Sequence, residues 1–581
     1  MAVIGIDLGT TNSLAAVWKD NRVELIKNRL GSELTPSVVS VQDGEVLVGQ
    51  HAKERLVSSP DMTAGGFKRY MGTNRKINLG NRSFSPEELS SLVIKKLVED
   101  AKNYLGEEIE EAVISVPAYF NNEQRYATKL AAKLAGVNCE RIINEPSAAA
   151  LFCRTQDMDR EQTILVFDFG GGTLDVSVVD CFENIVEIQS IAGDNHLGGK
   201  DFDELMAKKF CEANGIDYGE MSDEKRQALL RRAELCKMQL SDEESSELHF
   251  RYGDKEYQYI FTNEKLVETA GELFLKMKQV IGRALKDSDY MPEDITDILP
   301  VGGSCEMPVV REYLSHLFKR PVEKLCDGDK IVATGLGVYC GIKSRNEEIK
   351  DVLMTDVCPF SLGTEIKNHE NPGNPIMSVI IERNSVLPVK ATSVYITKSD
   401  AAYFNIYQGE SYYVAENVKI GGIGIEEGIK DISSAAAIGR VNSGLEVALT
   451  FAYDINGILD VTAKVLSTGQ EKSISIVGEK NPLTPEQIEE RRRTIKKIGF
   501  ADDEENKEVL ALASRIYSES VGAVRDRAEG LLRYFSEILA TNSPIKIKKA
   551  RELVMPVLWQ LNEYADRDVF EMEWESEEWE D

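Results

Sequence analysis

The sequence predicts a multidomain chain: two related α/β lobes, then an antiparallel β-sandwich, then a charged helical region. Three observations carry this reading. One acidic hairpin is written twice, a long stretch from Val357 alternates strictly between apolar and polar residues, and a capped helical pattern begins at Thr484.

The hairpin appears first as VIGIDLGTTNSLAAVW (Val3–Trp18) and again as LVFDFGGGTLDVSVVD (Leu165–Asp180). Each copy is an apolar strand ending in an Asp (Asp7, Asp168), a Gly/Thr turn and a second apolar strand. RVELIKN (Arg22–Asn28) follows the first copy and IVEIQSIAGD (Ile185–Asp194) the second, so each half opens with a three-strand meander turning at Asp20-Asn21 or Glu183-Asn184. Helical patterns such as EELSSLVIKKLVEDAKNYL (Glu87–Leu105) and NEQRYATKLAAKLAGV (Asn122–Val137) alternate with the strands, the mark of an α/β fold. Residues 1–346 are therefore read as two copies of one domain, about 1–145 and 146–346.

KDVLMTD (Lys350–Asp356), apolar between acids, reads as an interdomain linker over 347–356. In 357–480 the run LEVALTFAY places Leu445, Val447, Leu449, Phe451 and Tyr453 on one face. After the Asn456-Gly457 turn, Leu459, Val461, Ala463 and Val465 do the same. Such alternation suits a sandwich with one solvated face per sheet. At 481–568 the period becomes helical, with Thr484, Pro485 and Gln487 set as a capping box. VFEMEWESEEWED (569–581) reads as a solvated acidic tail in which Trp574 and Trp579 are candidate docking residues.

Bulk properties narrow the function. A length of 581 residues exceeds what one core supports. The net charge of −29 repels phosphate backbones and argues against nucleic acid as a partner. Nine scattered Cys form no C-x-x-C, and with five dispersed His they suggest free thiols in a reducing compartment rather than zinc ligands. The N-terminus has no basic region before its apolar run, and Asp7 interrupts that run early, which makes a poor signal peptide; no apolar run is long enough to span a bilayer. A soluble, cytoplasmic protein is the expectation.

An Asp at the end of a buried strand, beside a Gly turn, stands where backbone N–H groups also point outward. The turn makes an anion nest, and the carboxylate can hold a metal ion through its water shell. Two such hairpins face to face would grip a triphosphate, with Asp7 and Asp168 addressing Mg2+ from opposite sides. No G-x-x-x-x-G-K-[ST] is present, and Gly170–Gly172 lacks the G-x-G-x-x-G spacing of a dinucleotide fold. A further turn, VGGS (Val301–Ser304), suits close passage of backbone past a base or ribose.

IDLGTTNS, VPAYFNNEQR, INEPSAAAL, FDFGGGTLDVS, GDNHLGGKDFD and VGGS, in this order, resemble the seventy-kilodalton heat-shock chaperones, the DnaK-type family. The resemblance covers nearly the whole chain. The shortened segment between Lys68 and Pro117, with TDVCPFSLG and IIERN, looks most like the bacterial HscC branch. It implies an actin-like ATPase of two duplicated lobes, then a peptide-binding sandwich and an α-helical lid, working as an ATP-dependent chaperone. The cofactors implied are ATP/ADP and Mg2+, with K+ as an additional candidate ion. The partners implied are unfolded client polypeptides, a J-domain co-chaperone and, as an option, a nucleotide exchange factor.

Position by position, the resemblance implies that Thr10, Thr11 and Asn12 face the phosphates with Gly170, Gly171, Gly172 and Gly199. Asp7 and Asp168 hold the Mg2+ water shell. Lys68, Glu145, Thr173 and Asp175 position and activate the attacking water. Glu234, Lys237 and Ser241 lie on one side of the adenosine, with Gly302, Gly303, Ser304 and Asp329 opposite. Pro117 and Arg125 relay nucleotide state to the linker residues Leu353 and Asp356. Thr364, Tyr395, Ala402 and Phe404 occupy the peptide-pocket positions. Four departures accompany the match: Glu306 where relatives often carry an Arg over the base, Lys367 and Lys398 at the arch over the peptide, and Thr355 in place of the last apolar linker residue. These lead us to expect altered adenine stacking, a client set shifted away from basic segments, and looser linker docking.

Two other readings fit the acidic hairpins: a sugar or acetate kinase of the same two-lobed superfamily, and a filament-forming cytoskeletal protein. The sandwich region counts against the first, and the chain beyond residue 350 counts against the second.

Overall fold

The computed structural model describes residues 2–42, 45–156, 160–253, 255–322, 327–344, 352–368, 371, 373–397, 401–426, 445–476, 484–498, 504–520 and 522–566. Lys398 and the acidic tail lie outside these residues.

The repeated hairpin builds two sheets of matching topology. In the first, Ala2–Asp7 pairs antiparallel with Asn12–Lys19, which pairs with Arg22–Leu25, while Ile109–Val116 runs parallel on the other side. In the second, Gln162–Phe169 pairs with Leu174–Phe182, which pairs with Ile185–Asp194, and Asp297–Val301 takes the parallel place. The meander turns fall where the sequence sets them. Asp20, Asn21 and Glu183 adopt φ of 48°, 61° and 47°, the left-handed values of tight hairpins, which Asp and Asn tolerate readily. Ile4, Ile6, Leu165, Phe167 and Phe169 have no exposed surface. Burial of the strands on both faces explains why they read as apolar runs rather than as alternation.

The alternating region forms two four-stranded antiparallel sheets. Val447, Leu449, Phe451, Leu459, Val461, Ala463 and Val465 are fully enclosed between them. Glu446–Tyr453 and Leu459–Val465 join through Asn456-Gly457, with Gly457 at φ 68°. The helical region opens at Pro485 under the capping box of Thr484 and Gln487. It continues through Glu504–Glu519, Gly522–Ala540 and Pro544–Asp566, which close on a core that includes Val509, Ile516, Phe535 and Leu558.

The three parts are packed together. Leu353–Thr355 forms a parallel strand on the outer edge of Ile185–Asp194, extending the second sheet. The sandwich seats its Asn456 turn on the first lobe: Asn456 Oδ1 accepts from Ile142 N (3.0 Å), Nδ2 donates to Glu140 O (3.1 Å), and Asn122 Oδ1 accepts from Leu459 N (2.9 Å). Arg383 pairs with Asp287 at 2.7 Å. Helix Pro485–Lys497 lies against Asn122–Ala135, burying Ile488 beside Leu130 and Leu134. The following helix, Glu504–Glu519, packs on Gln50–Ser58, where Arg515 makes a buried ion pair with Glu54 and Lys507 pairs with Glu45. Arg515 is 1% exposed and Glu54 3%. The helices thus rest on the first lobe, an arrangement that residue periodicity does not encode. Among the described residues no helix is long and apolar enough to cross a membrane.

Candidate functional site

The two Gly/Thr turns face one another across a cavity of about 480 Å3. A Cβ on Gly171 would collide with Thr11 Oγ1, and one on Gly172 would meet Thr10 Cγ2 at 2.8 Å, so the turns approach as closely as backbone allows. Of the residues picked out from the sequence, Asp7, Thr10, Thr11, Asn12, Lys68, Glu145, Asp168, Gly170, Gly171 and Thr173 line the cavity. Gly199, Glu234, Lys237, Ser241, Gly302, Gly303, Ser304 and Asp329 line it as well. Glycine is required at 302, where φ is 85° and a Cβ would strike Phe169 O at 2.6 Å.

At the acidic end, Lys68 Nζ sits 2.9 Å from Glu145 Oε1, both side chains buried, and 5.6 Å from the centre of the Phe120 ring. Asp7 Oδ1 accepts from Ser115 Oγ at 2.7 Å, and Asp175 Oδ1 accepts from Tyr119 N at 3.1 Å. Burial, reinforced by Glu145, pushes the Asp7 and Asp175 carboxyls up to about 7. Burial likewise raises Asp168 well above its ordinary value, with Glu145, Asp175 and Asp7 adding repulsion. Four carboxylates thus crowd one lysine. That excess of negative charge in a buried site is what a divalent cation relieves. Thr11 Oγ1 and Asp175 Oδ2 are buried with no hydrogen-bond partner, and such orphaned atoms fit a phosphate and a water. Among the described residues no three His, Cys, Asp or Glu side chains converge as a direct metal cage.

At the other end, Lys237 Nζ donates to Gly199 O (3.0 Å) and pairs with Asp203 (2.6 Å), while Ser304 Oγ donates to Gly170 O (2.9 Å). Glu306 lines the cavity and lies 3.8 Å from Arg311, whose Nη1 donates to the Glu306 carbonyl at 2.7 Å. Arg69 is a residue the sequence reading passed over. It reaches across the cleft to Asp201 (3.1 Å) and to Gly171 O (3.5 Å). Its place beside Lys68 in GFKRY was the available signal. Lys53 and Lys200, also in the cavity wall, had none that separates them from surface lysines.

Two short routes lead outward. Tyr119, whose amide holds Asp175, stacks on Phe360 of the sandwich at 4.5 Å. In the same turn, the Pro117 carbonyl accepts from Phe120 N, and Arg125, 2% exposed, gathers the carbonyls of Ala118 (2.9 Å) and Phe120 (3.0 Å) with Asn144 Oδ1 (2.8 Å). Its other nitrogen reaches Asn456 O at 3.5 Å. On the second route, Glu145 opens the helix in which Ser147 donates to Asp356, and Asp356 faces Arg141 at 3.8 Å. Leu353 is 61% exposed within its paired strand, whereas Asp356 is buried.

In the sandwich, Tyr395 and Phe404 stack at 5.7 Å, and the Tyr395 hydroxyl meets Ser378 Oγ at 3.0 Å. Ala402 and Phe404 are buried at 8% and 7% exposure. Thr364 is wholly enclosed and donates to Asn405 O at 2.8 Å; it pairs with Ile406, on the strand face that also carries Phe404 and Ala402. Lys367 is exposed.

A model of the Hsp70 protein family matches residues 3–78 and 73–528 of this chain.

Proposed function

We propose, for a chain that belongs to the Hsp70 family, an ATP-driven chaperone that binds extended client segments and releases them through a nucleotide-controlled change in domain packing. Membership supports a chaperone role and ATPase chemistry. The finer reading takes residues 1–346 as the ATPase, 347–356 as the linker, 357–480 as the peptide-binding sandwich and 481–568 as the lid. The branch most similar in its motifs is HscC.

The observation that carries the reading is the pair of routes joining the acidic end of the cleft to the sandwich and linker. Asp175 holds the Tyr119 turn, which Arg125 ties to Asn456. Lys68 pairs with Glu145, at the head of the helix that binds Asp356. Spatial continuity makes these candidates for coupling, and each links two bodies able to separate.

In the hydrolytic step, the Gly/Thr turns hold the triphosphate and Lys68 orients water toward the γ-phosphorus. A bond forms from the water oxygen to that phosphorus while its bond to the β–γ bridging oxygen breaks, and the electron pair leaves on ADP. Asp175 Oδ2, unpaired and with its proton affinity raised toward neutrality, accepts the water proton. Asp7 and Asp168 would hold Mg2+ through its water shell, and the ion would supply charge neutralisation for the phosphates there. Thr11 and Thr173 hydroxyls orient the transferred group. Loss of the γ-phosphate removes the group that Lys68 and Asp175 jointly grip, which frees both routes to rearrange.

Clients, a J-domain partner, an optional exchange factor and a cytoplasmic setting accompany this reading. The test is fluorescence anisotropy of a labelled unstructured peptide before and after MgATP. A rapid fall, absent in Lys237→Ala at limiting ATP, supports the cycle. Peptide binding that ignores ATP refutes it.

A further inference from the structure

Lys200 stands in the cleft without a role in the scheme above. It is the second residue of helix Gly199–Asn214, and its amide donates to Gly171 O at 3.0 Å, just as Gly199 N donates to Gly170 O at 3.0 Å. The head of this helix is therefore stitched to the second Gly/Thr turn and moves with it. From there the side chain spans the cleft. A Cβ placed on Gly66, in the opposite lobe and two residues before Lys68, would meet Lys200 Nζ at 3.0 Å. Lys200 lines the same cavity as Thr11, Gly171 and Lys68.

The ammonium lacks a counterion. Among the described residues no carboxylate lies within ion-pair distance of it. Its charged surroundings are mixed: Arg69 and Lys53 repel it, while Glu234 and Asp203 attract it without pairing with it, and Asp203 is already engaged with Lys237 at 2.6 Å. Burial, with Arg69 next in effect, lowers its proton affinity. A partly desolvated cation that no carboxylate pairs is stabilised when an anion completes the site. The cavity supplies a place for one, between two glycine turns whose N–H groups serve the same anion.

We propose that Lys200 is a polyphosphate-binding residue, which neutralises β- and γ-phosphate oxygens from the second lobe, opposite Lys68 on the first. It thereby makes the site discriminate by phosphate number. A nucleoside triphosphate or diphosphate reaches the ammonium; a monophosphate, anchored by its base and ribose at the Lys237 end, does not. The same contact pins the second lobe to the Gly66–Lys68 segment, so the anion itself holds the cleft closed.

The inference rests on the nucleotide reading, and the experiment separates the two. Titration calorimetry of the full chain with ATP, ADP and AMP, each with Mg2+, is compared for the parent, Lys200→Gln and Lys200→Arg. The expected result is a loss of tenfold or more in ATP affinity for Lys200→Gln, a similar or smaller loss for ADP, less than a twofold change for AMP, and recovery in Lys200→Arg to within threefold. ATP affinity unchanged in Lys200→Gln overturns the proposal, as does an equal loss for AMP, which marks general distortion of the cleft. A parent chain that binds no ATP overturns the nucleotide reading itself, and this inference with it.

Discussion

Removing Glu54 tests whether the helical region is held on the first lobe by charge. Glu54 projects from Gln50–Ser58, receives Arg515 from the packed helix and also accepts from Gln50. Arg515 is among the largest fully buried side chains, and it also reaches Asn562 within its own bundle. Glu54→Ala leaves the bundle's sequence untouched but strands a guanidinium in the interface. Breaking a buried pair from one side costs about 3–5 kcal/mol. The cost falls on docking, because Arg515 regains water when the bundle lifts away. At roughly 1.4 kcal/mol per decade, the docked-to-undocked ratio drops by ~10^2 to ~10^3.5. Single-molecule energy transfer between dyes at Ser83 and Glu529, in a urea range where both populations are countable, reads that ratio. Replacing both residues with Met removes the stranded charge and recovers most of the loss. A ratio within twofold of the parent in Glu54→Ala refutes the reasoning, since packing alone would then hold the bundle.

Other predictions concern neighbouring links. Lys68→Ala lowers single-turnover hydrolysis by ~10^2 to ~10^3 with ATP affinity changed less than tenfold, because the lysine acts on the transferring group rather than the base; an unchanged rate refutes its role. Burial, with Glu54 and Glu505 adding repulsion and Arg551 opposing, pushes the Glu508 carboxyl up to about 7 at the same interface. The docked state therefore binds a proton that the undocked state, near the ordinary 4.5, releases. Its stabilisation is full below 4.5 and lost as pH rises through 7. His51 and the Lys507–Glu45 pair flank this site, and His51, held neutral to about 4, opposes docking only below its ordinary 6.5. Below pH 6.5 His51 offsets the loss from Glu508, so the docked fraction falls mainly between pH 6.5 and 7 and levels off above, and Glu508→Gln flattens that fall. Thr355 Oγ1 is buried without a partner in the linker strand, so Thr355→Val strengthens linker docking by about 1 kcal/mol, read as protection from proteolysis. Gly457→Ala combines a φ of 68° with a clash against Arg125 Cδ at 2.9 Å; it weakens ATP-driven peptide release and leaves ATP affinity intact.

The sheets and the cleft were legible because their causes are local. Hairpin register follows from alternation and turn chemistry, and the doubled Asp-Gly-Thr phrase points to a site between two copies. The Asn456-Gly457 turn was equally plain as a hairpin. Its docking against Ile142 and Glu140 was not, because both faces of a turn look polar in sequence. The same holds for Arg515, which reads as one more charge on a charged helix until Glu54 is placed opposite it. Lys200 follows the rule: a half-buried, unpaired ammonium in a cleft and a solvated one are the same letter.

The parallel pairing of Leu353–Thr355 with Ile185–Asp194 has a cost that appears only on release. With the linker in place, the outer edge of that sheet is partly capped. Once the linker leaves, a long twisted strand presents its unpaired amides and carbonyls to any chain able to add to it. The apolar run Val352–Met354 is set free in the same moment. The undocked protein is then a template for strand addition by its own kind or by the extended segments it meets. Its tendency to self-associate should track the time spent undocked, and a short peptide carrying VLMT should suppress that tendency by occupying the vacant edge.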